Sequence, residues 1–270
     1  MDDAPDAVAE AATAAVTWWG HATATIELAG VRVLTDPVLT ARLAHLSRLG
    51  GARPGRDAAR ADVAIVSHLH ADHFHLPSLR ALGRGVRIVA PVGAGRLLAR
   101  SDPRLLDQLT EVDVGDAVQV GAVRIEAVAA HHDGQRHPGS RHRGPALGAV
   151  LRGGGASVWF AGDTGLFDGL AAIGPVDAAV VPVGGWGPTL GPHHLDPAQA
   201  AEAVRQVGAR AAVPVHYGTF WPTGLRHVHP ASFRRMFADP GHRFAHALAR
   251  VAPRARAHVL GAGERALILP

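Results

Sequence analysis

The chain contains no cysteine, no lysine and no asparagine, and only one tyrosine and two methionines in 270 residues. Without cysteine there is no disulfide framework, no thiolate metal site and no cysteine nucleophile, which removes zinc fingers and iron–sulfur clusters together. Any bound metal must then be held by histidine, aspartate or glutamate. Without lysine all 27 basic residues are arginine, and against 23 acidic residues they leave a formal charge of +4. Arginines scattered along the whole chain give a weak basic bias rather than a polyanion-binding patch, so no nucleic-acid partner is expected. No apolar run reaches the roughly 18 residues of a membrane-spanning helix. The acidic start, Met1-Asp2-Asp3-Ala4-Pro5-Asp6, lacks the basic region of a secretory signal. A soluble cytoplasmic protein without stable membrane association is expected, and nothing in the sequence reads on its oligomeric state.

An apolar fraction of 47% is enough to fill a sizeable core. Residues 1–15 read as a flexible leader and 16–270 as one domain. Thr23–Leu28 and Val31–Thr35 flank Ala29-Gly30 and predict a hairpin, since glycine allows the positive φ of such a turn. Further short strands are predicted at Val63–Val66, Val86–Ala90, Val118–Val120, Val123–Ala129, Ala146–Leu151, Ser157–Ala161, Ala178–Val183, Ala211–Val215, Ala257–Leu260 and Ala266–Leu269. A helix is predicted at Pro197–Val207, with Asp196 as N-cap, Gln199 completing a capping box and Gly208 as the stop. Others are expected near Leu76–Leu82, Gly93–Ala99, Pro103–Leu109 and Pro230–Phe237, and His242–Arg250 reads as a helix packed on a sheet. The expected architecture is α+β, with two sheets face to face and helices outside.

Eighteen histidines are more than exposed loops need. The densest group, Ser67-His68-Leu69-His70-Ala71-Asp72-His73, follows the apolar run Val63–Val66 and precedes a helix start. It therefore sits at the carboxyl end of a buried strand, where four potential ligands on one turn can face a common centre. Imidazole and carboxylate donors suit zinc, manganese, iron and cobalt. A histidine-rich solvated loop is the bland alternative. Asp163 follows the buried strand Ser157–Ala161, where an isolated charge would be costly, so a metal is a sensible partner. A turn-forming aspartate is its alternative, and a satisfied core histidine is the alternative for His216, which ends Ala211–Val215.

The pattern His-x-His-x-Asp-His at 68–73 resembles the metallo-β-lactamase superfamily. Trp18-Trp19-Gly20-His21-Ala22-Thr23, Leu34-Thr35-Asp36-Pro37, Ala161-Gly162-Asp163-Thr164-Gly165, His194-Leu195-Asp196-Pro197 and Val215-His216-Tyr217-Gly218-Thr219-Phe220 are similar to motifs of one of its branches. That branch contains N-acyl-phosphatidylethanolamine phospholipase D and the ascorbate-6-phosphate lactonase-like proteins. The resemblance runs from about residue 16 to the C-terminus and implies a four-layer αβ/βα sandwich of two mixed β-sheets. It implies one metal held by His68, His70 and His132 and a second by Asp72, His73 and His216, with Asp163 bridging both. Of the adjacent His131 and His132, His132 fits the family pattern. Two divalent cations are thus expected, zinc first, with manganese or iron as alternatives. His21 and Asp36 read as residues behind the ligands, and His194 as a group that contacts the substrate. Position 75 departs from the pattern, carrying histidine where aspartate is common. Trp186 and Trp221 read either as pocket wall or as core and rim aromatics. His193 is expected to be exposed, and His137, His142, His227, His229, His242, His246 and His258 are expected at the surface.

A two-metal centre lowers the pKa of a bridging water, so hydroxide is the expected nucleophile. Asp72 would orient it and accept a proton, and His194 could protonate the leaving group. The resemblance and the arginines together imply hydrolysis of a small, anionic substrate, a phosphodiester first and a lactone second. A mononuclear iron redox enzyme of the same fold and a non-catalytic arginine-rich nucleic-acid-binding module are the competing classes.

Overall fold

The computed structural model describes residues 13–185 and 190–269; residues 1–12 of the expected leader and Trp186 lie outside the described residues. In chain order the strands are β1 (Ala14–Gly20), β2 (Thr23–Leu28), β3 (Val31–Thr35), β4 (Arg42–Leu43), β5 (Leu46–Arg48), β6 (Val63–Ile65), β7 (Arg87–Pro91), β8 (Leu109–Val112) and β9 (Ala117–Val120). They continue with β10 (Val123–Ala129), β11 (Leu147–Gly153), β12 (Ala156–Phe160), β13 (Ala178–Pro182), β14 (Ala211–Val215), β15 (Phe220–Pro222), β16 (Arg256–Ala257) and β17 (Arg265–Leu269). The α-helices are α1 (Leu76–Leu79), α2 (Ala94–Ser101), α3 (Pro197–Gln206), α4 (Pro230–Phe233) and α5 (Pro240–Val251).

Two sheets of seven strands carry the fold, in the orders β17-β1-β2-β3-β6-β7-β8 and β16-β14-β13-β12-β11-β10-β9. Each is mixed. The first is antiparallel from β17 to β3 and parallel from β3 to β8. The second is antiparallel from β9 to β12 and parallel from β12 to β16. Their inner faces meet through Val16, Trp18 and Ile26 on one side and Ile125, Val158, Phe160 and Val213 on the other. The alternate residues of the second sheet, Trp159, Ala179 and Val181, pack outward under Val204 of α3 and Phe244 and Leu248 of α5. The first sheet is covered in the same way by Leu69, Phe74, Leu79 and Leu98. Burial on both faces explains why β6, β13 and β14 are apolar at every position instead of alternating. The result is the four-layer αβ/βα arrangement.

The capping box of α3 forms as expected: the Asp196 carboxylate accepts from Ala198 and Gln199 N–H at 2.8 Å, and Asp196 N–H donates to the Gln199 side chain at 3.1 Å. Other boundaries differ from expectation. β1 begins at Ala14, two residues inside the expected leader, because Ala14 pairs with Leu28 of β2 and Leu269 of β17. Residues 103–108 form a 3-10 turn and the chain then pairs as β8 with β7, a strand that the helical reading of this stretch hid. The helix expected at Pro230–Phe237 stops at Phe233 and passes into a wider, π-type turn over Arg234–Ala238. A third sheet, β15-β5-β4, was not expected; strands of two or three residues carry no readable period. Among the described residues no helix is long and apolar enough to cross a membrane.

Candidate metal centre

The carboxyl ends of strands from both sheets converge at one edge of the sandwich. β6 delivers the turn 67–75, β3 ends at Asp36, β10 leads to His131 and His132, β12 to Asp163 and β14 to His216, while the β1–β2 turn supplies His21. The backbone N–H of His216 donates to the His21 carbonyl at 2.8 Å, tying the two sheets together at the site. Three of these residues, His21, Asp36 and His216, have φ of 53°, 34° and 63°. Left-handed backbone is uncommon for residues other than glycine and gathers where a site over-determines the chain.

The hydrogen bonds fix which ring nitrogen each histidine turns inward. The Asp36 carboxylate, fully buried, accepts from Ser67 N–H and Ser67 O–H at 2.7 Å each and from His73 Nδ1 at 2.6 Å. Because the Ser67 proton is committed to Asp36, its oxygen is left to accept from His68 Nδ1 at 2.9 Å. His132 Nδ1 donates to the His193 carbonyl and His194 Nδ1 to the Leu190 carbonyl, both at 2.9 Å. The Nε2 atoms of His68, His73, His132 and His194 are therefore all turned away from these partners.

Those atoms meet one another. His68 Nε2 lies 2.8 Å from His70 Nδ1, His132 Nε2 lies 3.2 Å from the same atom, and His73 Nε2 lies 3.2 Å from His216 Nε2. Asp163 Oδ2 is 3.3 Å from both His73 Nε2 and His216 Nε2 and 3.6 Å from His194 Nε2, while its buried Oδ1 has no partner. One set of mutually close donors is His68, His70 and His132; another is His21, Asp72, His73 and His216. Asp163 groups with His68 and His73, and again with His132 and His194, so it touches both sets. Imidazole nitrogens packed nitrogen to nitrogen around a buried carboxylate, one of whose oxygens has no partner, are a donor set for divalent cations, and the residues present fit such ions.

The electrostatics agree. Burial opposes ionisation of Asp163, but His216 and His73 outweigh it and hold the carboxyl well below the usual range. Asp72 is held low in the same sense by His73 and His21. Burial disfavours a proton on His73, yet Asp163, Asp36 and Asp72 together raise its pKa well above the ordinary value. His21 is pushed down to about 4 by burial and by His216, and His132 to about 4 by burial.

The structure brings together all seven residues expected as ligands, His68, His70, Asp72, His73, His132, Asp163 and His216, with His194 beside them. His131 is exposed, and its ring packs against His193 and Phe167 instead. Asp36 stands behind His73 as anticipated, but His21 comes closer than anticipated, its Nε2 being 3.2 Å from Asp72 Oδ2. His75 is buried and bonds to Ser78 Oγ at 2.8 Å, at the start of α1. His193, His137, His227, His229, His242 and His246 are exposed, whereas His142 and His258 are half-buried. Trp221 lines a cavity beside the site and packs on Phe233 and Phe237. Two supporting residues were not singled out from the sequence. Ser67 relays Asp36 to His68, and the Arg136 guanidinium donates to the Leu69 and Phe74 carbonyls at 3.0 and 2.7 Å, clamping the histidine turn. Ser67 lay next to the motif and was readable as a hydroxyl at a strand end; Arg136 gave no signal among so many arginines.

Comparison with known proteins gives a consistent result. The beta-lactamase superfamily domain matches residues 31–217. An uncharacterized protein of Mycobacterium tuberculosis is 33% identical over 228 residues, which cover 78% of this chain and 60% of that protein. The chain thus spans about 60% of the length of its mycobacterial relatives. A metal-dependent hydrolase of Methanopyrus kandleri is 30% identical over 236 residues, 84% of this chain and 92% of its own length. N-acyl-phosphatidylethanolamine-hydrolyzing phospholipase D 1 of Caenorhabditis elegans is 30% identical over 226 residues, 76% of this chain and 64% of its own. Among solved structures, the metallo hydrolase Igni18 of Ignicoccus hospitalis has a TM-score of 0.70 at 23% identity, covering 94% of this chain and 98% of its own, a likeness of fold.

Proposed function

The chain belongs to the beta-lactamase superfamily, and from that premise we propose that it is a metal-dependent hydrolase with a two-metal centre, acting on a small anionic phosphodiester. The observation that carries this reading is the pair of donor sets, His68/His70/His132 and His21/Asp72/His73/His216, with Asp163 close to both. A mononuclear redox enzyme needs only one such set. Similarity to a metal-dependent hydrolase and to a phospholipase D supports hydrolysis and, within it, a phosphodiester. Arg235 and Arg243 add to this, because they line a small polar pocket that shares Gly185 and Met236 with the cavity beside the centre.

Two divalent cations, zinc before manganese or iron, would be held by His68, His70 and His132 and by Asp72, His73 and His216, and would supply an activated water and charge stabilisation. The protein's own residues do the rest. Asp72 orients the attacking water and takes its proton. His194, held at Nδ1 by the Leu190 carbonyl, turns Nε2 towards the centre, 3.6 Å from Asp163 Oδ2, where it can carry the leaving-group proton. Asp36 and Ser67 lock the rings of His73 and His68, so little reorganisation accompanies the reaction. A lactone is the second reading, favoured by the largely apolar cavity that His216 helps to line, which suits a neutral carbonyl substrate. Neither nucleic acid nor a membrane is a proposed partner.

The test is elemental analysis of the purified protein and of His68→Ala and His216→Ala, with parallel assays on bis(p-nitrophenyl) phosphate and a γ-lactone. About two equivalents of zinc or manganese, one of them lost in each variant, and phosphodiester turnover support the proposal. A single iron lost only in His68→Ala moves the reading to redox chemistry. Absence of metal overturns it.

A further inference from the structure

Beside the cluster lies a cavity of about 240 Å³, larger than the roughly 150 Å³ of an apolar cavity that holds benzene. Its wall is built from Leu46, Phe220, Trp221, Met236 and Phe237. Among the described residues the histidines in that wall are His21 and His216, the same two that belong to one donor set of the cluster, so the cavity adjoins the centre. Among the described residues the wall contains no Asp, Glu or Arg.

The architecture shows what the small third sheet is for. β5 pairs with both β4 and β15, and Leu43, Leu46 and Phe220, which cluster with Val38, form a side of the recess. The Arg48 guanidinium sits 4.8 Å from the Phe220 ring centre. It is already committed, donating to the carbonyls of Trp19, Val38 and Thr40 at 2.9, 2.8 and 3.2 Å. An anionic group placed in this recess would find no free cation from Arg48 and would lose its hydration. A hydrocarbon group would find aromatic and thioether surface on several sides.

We propose that this cavity is a subsite for an uncharged hydrocarbon arm of the substrate, aryl or alkyl, which seats the scissile bond against His216 and the rest of the cluster. The assignment of the arm to a substrate rests on the hydrolase reading; the binding of such a group does not. The substrate class is thereby narrowed to esters, phosphodiesters or lactones that carry an apolar substituent next to the cleaved bond.

The experiment is fluorine NMR of 4-fluorobenzyl alcohol titrated into the purified metal-loaded protein, with trifluoroethanol as the same hydroxyl without the ring. The ring-bearing alcohol is expected to bind at least about tenfold more tightly, the gain for removing one ring from water. Met236→Glu, which puts a charge in the wall, and Met236→Trp, which fills the space, are both expected to lose that gain while keeping wild-type metal content and circular dichroism. Equal binding of the two alcohols, or a gain that survives both variants, overturns the subsite. Assays on substrates with and without a benzyl or hexyl arm then read its role. A KM at least about tenfold lower with the arm supports the proposal, and turnover indifferent to the arm overturns it. If no ester of any kind is turned over while the fluorine signal behaves as expected, the hydrolase reading fails and the hydrocarbon site stands.

Discussion

Asp36 holds the centre in register without being one of the expected ligands: one carboxylate accepts from Ser67 twice and from His73 once. Its left-handed φ of 34° is a conformation that asparagine tolerates well, so Asp36→Asn removes the charge with little strain on the turn. That variant is expected to keep its fold and to lose about 10- to 100-fold in metal affinity, measured by competition with a chromogenic chelator. The histidines set a pH dependence. His21 and His132 are pushed down to about 4 from 6.5, so below 6.5 the unfolded chain binds protons that the folded chain refuses. Stability from these groups is therefore lost as pH falls from about 6.5 towards 4. His73 and His216 have the opposite sign, their contribution being present below 6.5 and lost as pH rises through their raised values. His68 and His70 are lowered and side with the first pair. The expected net result is a falling urea midpoint of metal-free protein between pH 6.5 and pH 4; a midpoint that rises over that window contradicts this balance.

At the scale of elements, two variants separate scaffold from site. Asp196→Ala removes the acceptor of two N–H groups at the start of α3 and is expected to cost about 1 kcal/mol with metal content unchanged, read by thermal unfolding beside elemental analysis. Gly162→Ala acts differently. Gly162 has φ +61°, and a Cβ there would stand 2.6 Å from the Leu147 carbonyl oxygen and 2.7 Å from Ser67 Cβ. The turn must shift and carry Asp163 with it, so a loss of about 1–3 kcal/mol accompanied by loss of metal is expected. The same contrast shows what was readable in advance. β10, β13 and β14 were legible because burial or alternation leaves a period and turn residues mark the ends, and the capping box announced α3. β4, β5 and β15 are too short to leave a pattern. The turn 68–73 was legible because four donors in one local turn leave few alternatives. The approach of His21 to Asp72 was not, since it depends on a left-handed backbone and a contact across 51 residues (72 − 21), neither of which composition encodes.

For the molecule as a whole, the centre takes donors from both sheets: His68, His70, Asp72 and His73 follow the first, and His132, Asp163 and His216 follow the second. A cation bound across that boundary stabilises the folded state by its affinity, about 4 kcal/mol at a thousandfold excess over Kd. Chelation is therefore expected to lower the melting temperature, and calorimetry with and without a chelator checks it. The bond from His216 N–H to the His21 carbonyl adds a consequence of its own. That amide is a latch with one half on each leaf of the sandwich, so its proton can exchange with solvent only when the leaves part. In a hydrogen-exchange time course it acts as a clock for their opening, and filling the centre slows that clock without touching the amide itself.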